Sequence, residues 1–232
     1  VIIAGGRGVR LGTLTNKKPK ALVEVGGKPI LYWTMNWLKR YGIQHVVLGA
    51  AYKKEKIYEF VKNNDLGLDI DISEHTLEGG TAQAFKRAIK RYVKDKEFLA
   101  MNGDELTNVN LHNMLKFHRS RKHLVTMALT PFLCRFSVVK VNPTSNITGF
   151  EYGKRLGSAP VSIGVYIFNK GIIKHIPDKG SIEDTTFSKL AKKGVMSGYI
   201  LSDNEKWMSI NTPKDVEEAE KTHVKWIRKL PA

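Results

Sequence analysis

In the first half of the chain, short β-branched runs alternate with stretches whose apolar residues recur every three or four positions. Val1–Ala4, Gln44–Gly49, Leu68–Ser73 and Phe98–Met101 read as strands, and a helix is predicted between each pair and after the last. The helices start near Pro29 and end before Gly42, then run over Lys53–Asn63, Thr81–Val93 and Leu111–Arg119. Pro29 suits a first helical position, because a helix does not use the N–H that proline lacks there. Ala82, Phe85, Ile89 and Val93 share one face at the helical period. Gly5 to Lys18 is a Gly- and Lys-rich loop leaving the first strand.

This alternation predicts an α/β, Rossmann-like fold, with a mostly parallel central sheet covered by helices on both faces. After His123 the pattern changes. Leu124–Thr130, Val138–Val141, Ile147–Tyr152 and Val161–Phe168 read as strands with little helix between them, which predicts a smaller antiparallel extension. Two helices follow, near Ile182–Lys193 and Pro213–Trp226. Ser181-x-x-Asp184 and Thr212-Pro213-x-Asp215 resemble capping boxes at their starts. With no internal repeat, low-complexity tract or linker, one domain is expected, in two halves of about 1–122 and 123–232.

Composition narrows the classes. The 232 residues are 42% apolar and 26% charged, which argues against disorder, collagen and a disulfide scaffold. The longest apolar runs, such as Phe98-Leu99-Ala100-Met101, fall far short of the roughly 20 residues a membrane helix needs. The single Cys134 has no internal disulfide partner and fits a reducing cytosol. No basic n-region or extended apolar stretch suggests a signal peptide, so a cytoplasmic location is expected. The net charge of +16 suits an anionic partner, or equally a lysine-rich solubilising surface. No nucleic-acid recognition motif or aromatic stacking series accompanies it, so neither nucleic acid nor membrane is expected as a partner. The seven histidines show no ligand spacing and read as structural or surface residues.

The most informative stretch is Gly5-Gly6-Arg7-Gly8-Val9-Arg10-Leu11, directly after the first strand. Consecutive glycines let a phosphate or a planar base approach the backbone N–H groups. Arg7, Arg10, Lys17, Lys18 and Lys20 add five cations nearby, which suits a polyphosphate. It is not a P-loop, since no glycine is followed by Lys and then Ser or Thr. A dinucleotide fingerprint fails at its third glycine, where Leu11 stands.

The continuation Leu14-Thr15, Pro19-Lys20-Ala21-Leu22 and Gly26-Gly27-Lys28-Pro29-Ile30 completes a pattern that resembles the signature of the sugar-1-phosphate nucleotidylyltransferases. The likeness extends along most of the chain. Glu74 through Gly80-Thr81-Ala82-Gln83-Ala84 resembles the family's base-reading segment, and Phe98 to Asp104 its metal-binding strand end. Gly149-Phe150-Glu151 with Lys154 is similar to its sugar-phosphate segment. Gly164–Phe168 and Trp207–Asp215 resemble two later landmarks.

The resemblance implies that a sugar 1-phosphate oxygen attacks the α-phosphorus of a nucleoside triphosphate and pyrophosphate leaves. A phosphate with a second pKa of about 6 is largely a dianion at neutral pH and needs no Ser, Cys or His nucleophile. Charge neutralisation and in-line placement suffice. Implied roles are Gly5, Gly6, Gly8 and Gly103 beside the nucleotide, Gln83 at the base edge, and Arg10 on the β- and γ-phosphates. Lys20 would bridge the α-phosphate and the sugar phosphate, and Asp104 would hold Mg²⁺. Lys154 would pair with the sugar phosphate, and Gly164 and Glu183 would lie along the sugar. The two halves then read as nucleotide-binding and sugar-phosphate-binding.

Val9, Gly12 and Ala21 depart mildly from the family pattern. Asn108 and Asn110 stand where a further Asp-x-Asp is frequent. Ser209 stands where the family commonly has its second metal carboxylate, and Asn211 where it has Gly. Ser209 is expected to face the metal. The implied function is the making of a nucleotide-sugar for glycan or cell-envelope (polysaccharide) synthesis. The sugar is of glucose, mannose or heptose type, and guanylyl or thymidylyl transfer ranks first. The alternative is a weak or inactive homologue that binds nucleotide-sugar and regulates a partner. Nothing in the sequence resembles the hexapeptide β-helix that some relatives append, and a homo-oligomer is left open.

Overall fold

A computed structural model describes residues 1–133, 137–152 and 155–223. Lys154, Cys134 and the end of the helix expected to reach Trp226 lie outside them. The elements begin with β1 (Ile2–Ile3), β2 (Glu24–Val25), β3 (Lys28–Pro29) and α1 (Ile30–Arg40). Then come β4 (His45–Ala50), α2 (Lys54–Asn63), β5 (Asp69–Glu74), α3 (Gly80–Tyr92), β6 (Glu97–Asn102) and β7 (Glu105–Thr107). α4 (Leu111–Arg121) leads to β8 (Val125–Leu133), β9 (Ser137–Val141), β10 (Ile147–Tyr152) and β11 (Arg155–Asn169). α5 (Ser188–Lys192), β12 (Met196–Ile200), β13 (Trp207–Ser209) and α6 (Pro213–Glu218) complete the described chain.

The central sheet runs β5-β4-β1-β6-β11-β8-β12. β1 pairs in parallel with both β4 and β6, β5 with β4, and β12 with β8; only β11 runs antiparallel to its neighbours. The alternation along the central strands explains the two-sided core. Ile2, Met101, Val165 and Ile167 face one side with Met35, Leu38, Ile57 and Met114. Ala100, Tyr166 and Phe168 face the other with Phe85, Ile89, Phe187 and Leu190. Three two-stranded sheets stand apart: β2 with β3, β7 with β13, and β9 with β10.

β5 is the last strand on its side, and an open strand edge invites unwanted pairing. Here α3 closes it. The Tyr92 hydroxyl donates to the Ile72 carbonyl at 3.1 Å and the Arg87 guanidinium to the Glu74 carbonyl at 3.2 Å.

Two helix expectations shift. Pro29 is the cap and α1 begins one residue later. The helix expected over Ile182–Lys193 opens as a wide π-type turn at Glu183–Phe187 and becomes α-helical only in α5. Competing hydroxyls account for this, because Thr185 donates to the Ser181 carbonyl at 2.6 Å and Ser188 to that of Glu183 at 3.1 Å. β7, β12, β13 and the β2–β3 pair were not anticipated.

Topology locates the site. From β1 the chain moves outward to β4 and β5, then returns to β6 on the opposite flank of β1. The carboxyl ends of β1, β4 and β6 therefore border a switch point, where open α/β sheets leave a crevice. Gly5 and Gly6 leave β1 there, and Gly103 and Asp104 leave β6 there.

Candidate active site

The loop after β1 is pinned rather than free. The Gly5 carbonyl accepts from the Tyr52 N–H at 3.1 Å, and that of Gly6 from the Lys20 N–H at 3.1 Å. Gly8 adopts φ 65°, and a Cβ there would lie 3.0 Å from the Lys20 Cβ. A side chain at this position is thus disfavoured by both backbone and space. Short 3₁₀ turns follow at Val9–Thr15 and Lys20–Leu22. They pack through Leu11 and Val23 on Leu106, Met208 and Ile210 of the β7–β13 unit.

This folding brings together two of the five loop cations. Arg10 Nη2 donates to Asn211 Oδ1 at 2.7 Å, and Lys20 Nζ donates to the same oxygen at 2.7 Å. Lys20 Nζ also forms an ion pair with Asp104 Oδ2. Two of the others are engaged elsewhere: Arg7 lies over the Tyr52 ring and Lys18 pairs with Glu24 at 2.9 Å.

β13 lies antiparallel to β7, with Ser209 opposite Glu105. That register corrects the expectation for Ser209. Its hydroxyl donates to Glu105 Oε1 at 3.3 Å and accepts from Asn211 Nδ2 at 2.7 Å, so it does not serve Asp104. Asn211, two residues on, reaches Lys20. Trp207 Nε1 donates to Glu105 Oε2 at 2.7 Å. Glu105 is only 6% exposed. Burial, and then the neighbouring Asp104 charge, push its carboxyl well above the usual carboxylate range. Gly164, at φ 71°, leaves room for it: a Cβ there would lie 3.0 Å from Glu105 Oε1. Glu105 and Trp207 were missed as parts of this network. The signal was in the sequence as a buried acid next to Asp104 and an indole two residues before Ser209, but their pairing depends on a long-range strand register.

The remaining candidates occupy the rim. The Gln83 carbonyl oxygen accepts from Thr76 N–H at 3.0 Å, and its amide donates to the Asp178 carbonyl at 3.4 Å. Gln83 therefore also braces the β5–α3 connection. Glu183 Oε2 accepts from Ser181 at 2.8 Å and from Thr81 at 3.2 Å, which ties the turn at Glu183–Phe187 to the start of α3.

The Asn211 backbone N–H donates to Asp215 Oδ2 at 3.0 Å. The capping box anticipated at Thr212 is formed: Asp215 Oδ2 accepts from the Thr212 N–H at 2.8 Å, and Thr212 Oγ1 from the Asp215 N–H at 3.3 Å. Thr212→Ala is expected to destabilise the protein by about 1 kcal/mol, read as a lower urea midpoint at unchanged slope.

A family implication can be tested on these donors. Among the described residues no group of three or more His, Cys, Asp or Glu side chains could hold a metal ion. Asp104 Oδ2 and Asn211 Oδ1 nonetheless converge on one cation, the Lys20 ammonium. Asn211 Oδ1 is already shared by Arg10 and Lys20, so Asp104 is the hard oxygen ligand that fits an ion such as Mg²⁺, which often takes one or two carboxylates and keeps several waters.

The chemistry of this crevice is that of a phosphate-handling α/β enzyme. The family model described as nucleotidyl transferase matches residues 1–225. A probable glucose-1-phosphate cytidylyltransferase of Bacillus subtilis is 29% identical, over 95% of this chain and 94% of its own. A D-glycero-alpha-D-manno-heptose 1-phosphate guanylyltransferase of Aneurinibacillus thermoaerophilus is also 29% identical, over 95% and 96%. The crystal structure of HddC from Yersinia pseudotuberculosis complexed with GMP-PN superposes with a TM-score of 0.73 at 25% identity, covering 96% of this chain and 97% of that one. The chain belongs to the nucleotidyl transferase family, among the sugar-1-phosphate nucleotidyltransferases. No helix among the described residues is long and apolar enough to cross a membrane.

Proposed function

We propose that the protein transfers a guanylyl group from GTP to a mannose- or heptose-type sugar 1-phosphate, with Arg10, Lys20 and Asp104 as its working residues. The observation that carries the reading is the convergence of Arg10 and Lys20 on one oxygen beside Asp104, at the carboxyl ends of β1 and β6. The guanylyl choice is supported by the heptose guanylyltransferase relative and by the GMP-PN bound to the structural neighbour.

The reaction joins two anions. A sugar phosphate oxygen attacks the α-phosphorus, a new P–O bond forms, the bond to the β-phosphate oxygen breaks, and pyrophosphate leaves. Negative charge crowds at the α-phosphate and builds up on the leaving group. An ammonium has three donors, and Lys20 spends two on Asp104 and Asn211, leaving one for phosphate. Arg10 is exposed on the loop and presents its guanidinium to the β- and γ-phosphates, where a planar fork matches phosphate geometry. Asp104 would hold the divalent cation, since Asn211 Oδ1 is already taken by Arg10 and Lys20. When bound, Mg²⁺ neutralises and orients triphosphate oxygens. Gly5, Gly6, Gly8 and Gly103 offer the nucleotide a backbone surface, and Gln83 faces its base. Gly164, Glu183 and Lys154 serve the sugar phosphate. Residues of about 1–122 form the nucleotide half and 123–232 the sugar-phosphate half of one domain. The product would feed a glycosyl transfer that builds a polysaccharide, in the cytoplasm.

A matrix of GTP, dTTP, UTP and CTP against glucose, mannose and heptose 1-phosphates, read by pyrophosphate release with Mg²⁺, tests this. GTP with mannose or heptose 1-phosphate should give the highest kcat/KM. Preference for CTP or dTTP would overturn the base assignment. Silence throughout, with nucleotide-sugar still binding, would establish the regulatory alternative.

A further inference from the structure

We propose that Asn211 is a positioning residue that holds Arg10 and Lys20 together for a polyphosphate, and that Ser209 and Glu105 fix its amide in the orientation this requires. The polyphosphate is taken from the proposed function; the hydrogen-bond polarity is not.

The polarity follows from which groups can only donate. Arg10 and Lys20 have no acceptor, so the Asn211 end that meets both at 2.7 Å must be its oxygen. Its NH₂ end then faces Ser209 Oγ at 2.7 Å, which must accept. The one Ser209 hydroxyl proton is therefore directed elsewhere, to Glu105 Oε1 at 3.3 Å. Glu105 is in turn fixed by the indole N–H of Trp207, which can only donate, at 2.7 Å on its other oxygen. Gly164 leaves the room that Glu105 occupies, since a Cβ there would lie 3.0 Å from Oε1. Reversing the Asn211 amide would set NH₂ against two cations and leave Ser209 facing a carbonyl with its proton already used. Reversal would therefore forfeit the bonds to both cations.

The neutrality of the clamp matters. Two cations drawn to one point repel each other, and an acceptor must offset part of that repulsion before an anion arrives. Asp104 already offsets part of the Lys20 charge, so a shared amide oxygen adds an acceptor without cancelling more of it, whereas a second carboxylate would compete with phosphate. The backbone bond from Asn211 to Asp215 holds the clamp against α6. A polyphosphate thus meets a pair of cations already in place, and less ordering cost is left to binding.

Isothermal titration with inorganic pyrophosphate in Mg²⁺ tests the clamp without reference to base, sugar or turnover, on wild type, Ser209→Ala, Ser209→Thr, Asn211→Gly, Asn211→Asp and the Ser209→Ala/Asn211→Gly double variant. Asn211→Gly should weaken pyrophosphate binding about tenfold, the scale of a charge-assisted hydrogen bond. Ser209→Ala should weaken it about threefold and Ser209→Thr should restore it, as expected for a hydroxyl worth roughly one net hydrogen bond or less. The double variant should bind no more weakly than Asn211→Gly alone, because Ser209 acts only through Asn211. Asn211→Asp keeps the shape, so it guards against misfolding; it should also weaken binding, since its charge neutralises the cations. Additive effects of Ser209→Ala and Asn211→Gly, wild-type binding by Asn211→Asp, or binding unchanged in both single variants would each overturn the clamp. The reaction fails separately: the clamp pattern with no substrate pair turned over would overturn the proposed function alone, and turnover without coupling would overturn the clamp alone.

Discussion

Lys20→Ala is expected to lower kcat by about 10²–10³-fold while raising KM for the triphosphate only several-fold, the scale of losing one preorganised charge at the transition state. On the proposed reading, the Lys20 N–H not used by Asp104 or Asn211 is the donor that meets the two phosphates. In the ground state these are separate anions, each partly solvated and partly held by Arg10 and the metal. Their charges crowd only as the new bond forms, so an ammonium at that point stabilises the transition state more than either substrate. The side chain is 12% exposed, so little water replaces it. Lys20→Arg should not restore the rate, because a planar fork cannot direct three tetrahedral bonds to Asp104, Asn211 and phosphate. Steady-state kinetics with the best substrate pair decides. A raised KM at unchanged kcat would make Lys20 a ground-state binder.

The parts of this site that lie close in sequence were legible in it. The strand–glycine–cation order of Val1 to Lys20 and the strand ending in Gly103-Asp104 each encode a local geometry: period-two burial, then a loop leaving a parallel strand. Arg10, Lys20 and Asp104 were nameable because local pattern and family likeness agree there. What escaped depends on contacts between distant residues. β7 and β13 have three residues each, too few to show alternation, and stability comes to them from each other and from Leu11 and Val23. The position of Ser209 was inferred from a family in which an acid stands there. The register instead sets it opposite Glu105, and the residue of this segment that reaches Lys20 is Asn211. The wide turn at Glu183–Phe187 was hidden for a different reason: Thr185 and Ser188 are compatible with helix by pattern, and only their hydroxyl bonding shows the competition.

Asp104→Asn removes the charge proposed to hold the metal and, with it, the anionic partner of Lys20. The amide keeps the size of the side chain, and the Asp104 carbonyl keeps its bond from the Ile210 N–H at 3.1 Å, so the β7–β13 unit stays in place. The side chain is 23% exposed, and its pairing with Lys20 is screened enough that stability should change little. Two functional consequences follow from the lost charge. On the proposed reading, the carboxylate that would hold the cation disappears, leaving a neutral amide that would bind Mg²⁺ weakly beside phosphate and water. Lys20 loses its anionic anchor and rests on Asn211 alone. Turnover should fall by about 10³-fold, because several kcal/mol of transition-state charge stabilisation depend on the metal. The Mg²⁺ concentration for half-maximal rate should rise at the same time. Mn²⁺ titration followed by electron paramagnetic resonance, with triphosphate present, should show weaker metal binding at an unchanged melting temperature. If Asp104→Asn turns over normally at sub-millimolar Mg²⁺, the cation is held elsewhere and Asp104 serves only to anchor Lys20. In that case Asp104→Asn and Lys20→Ala would affect the rate through one shared interaction, and the double variant would be no slower than Lys20→Ala alone.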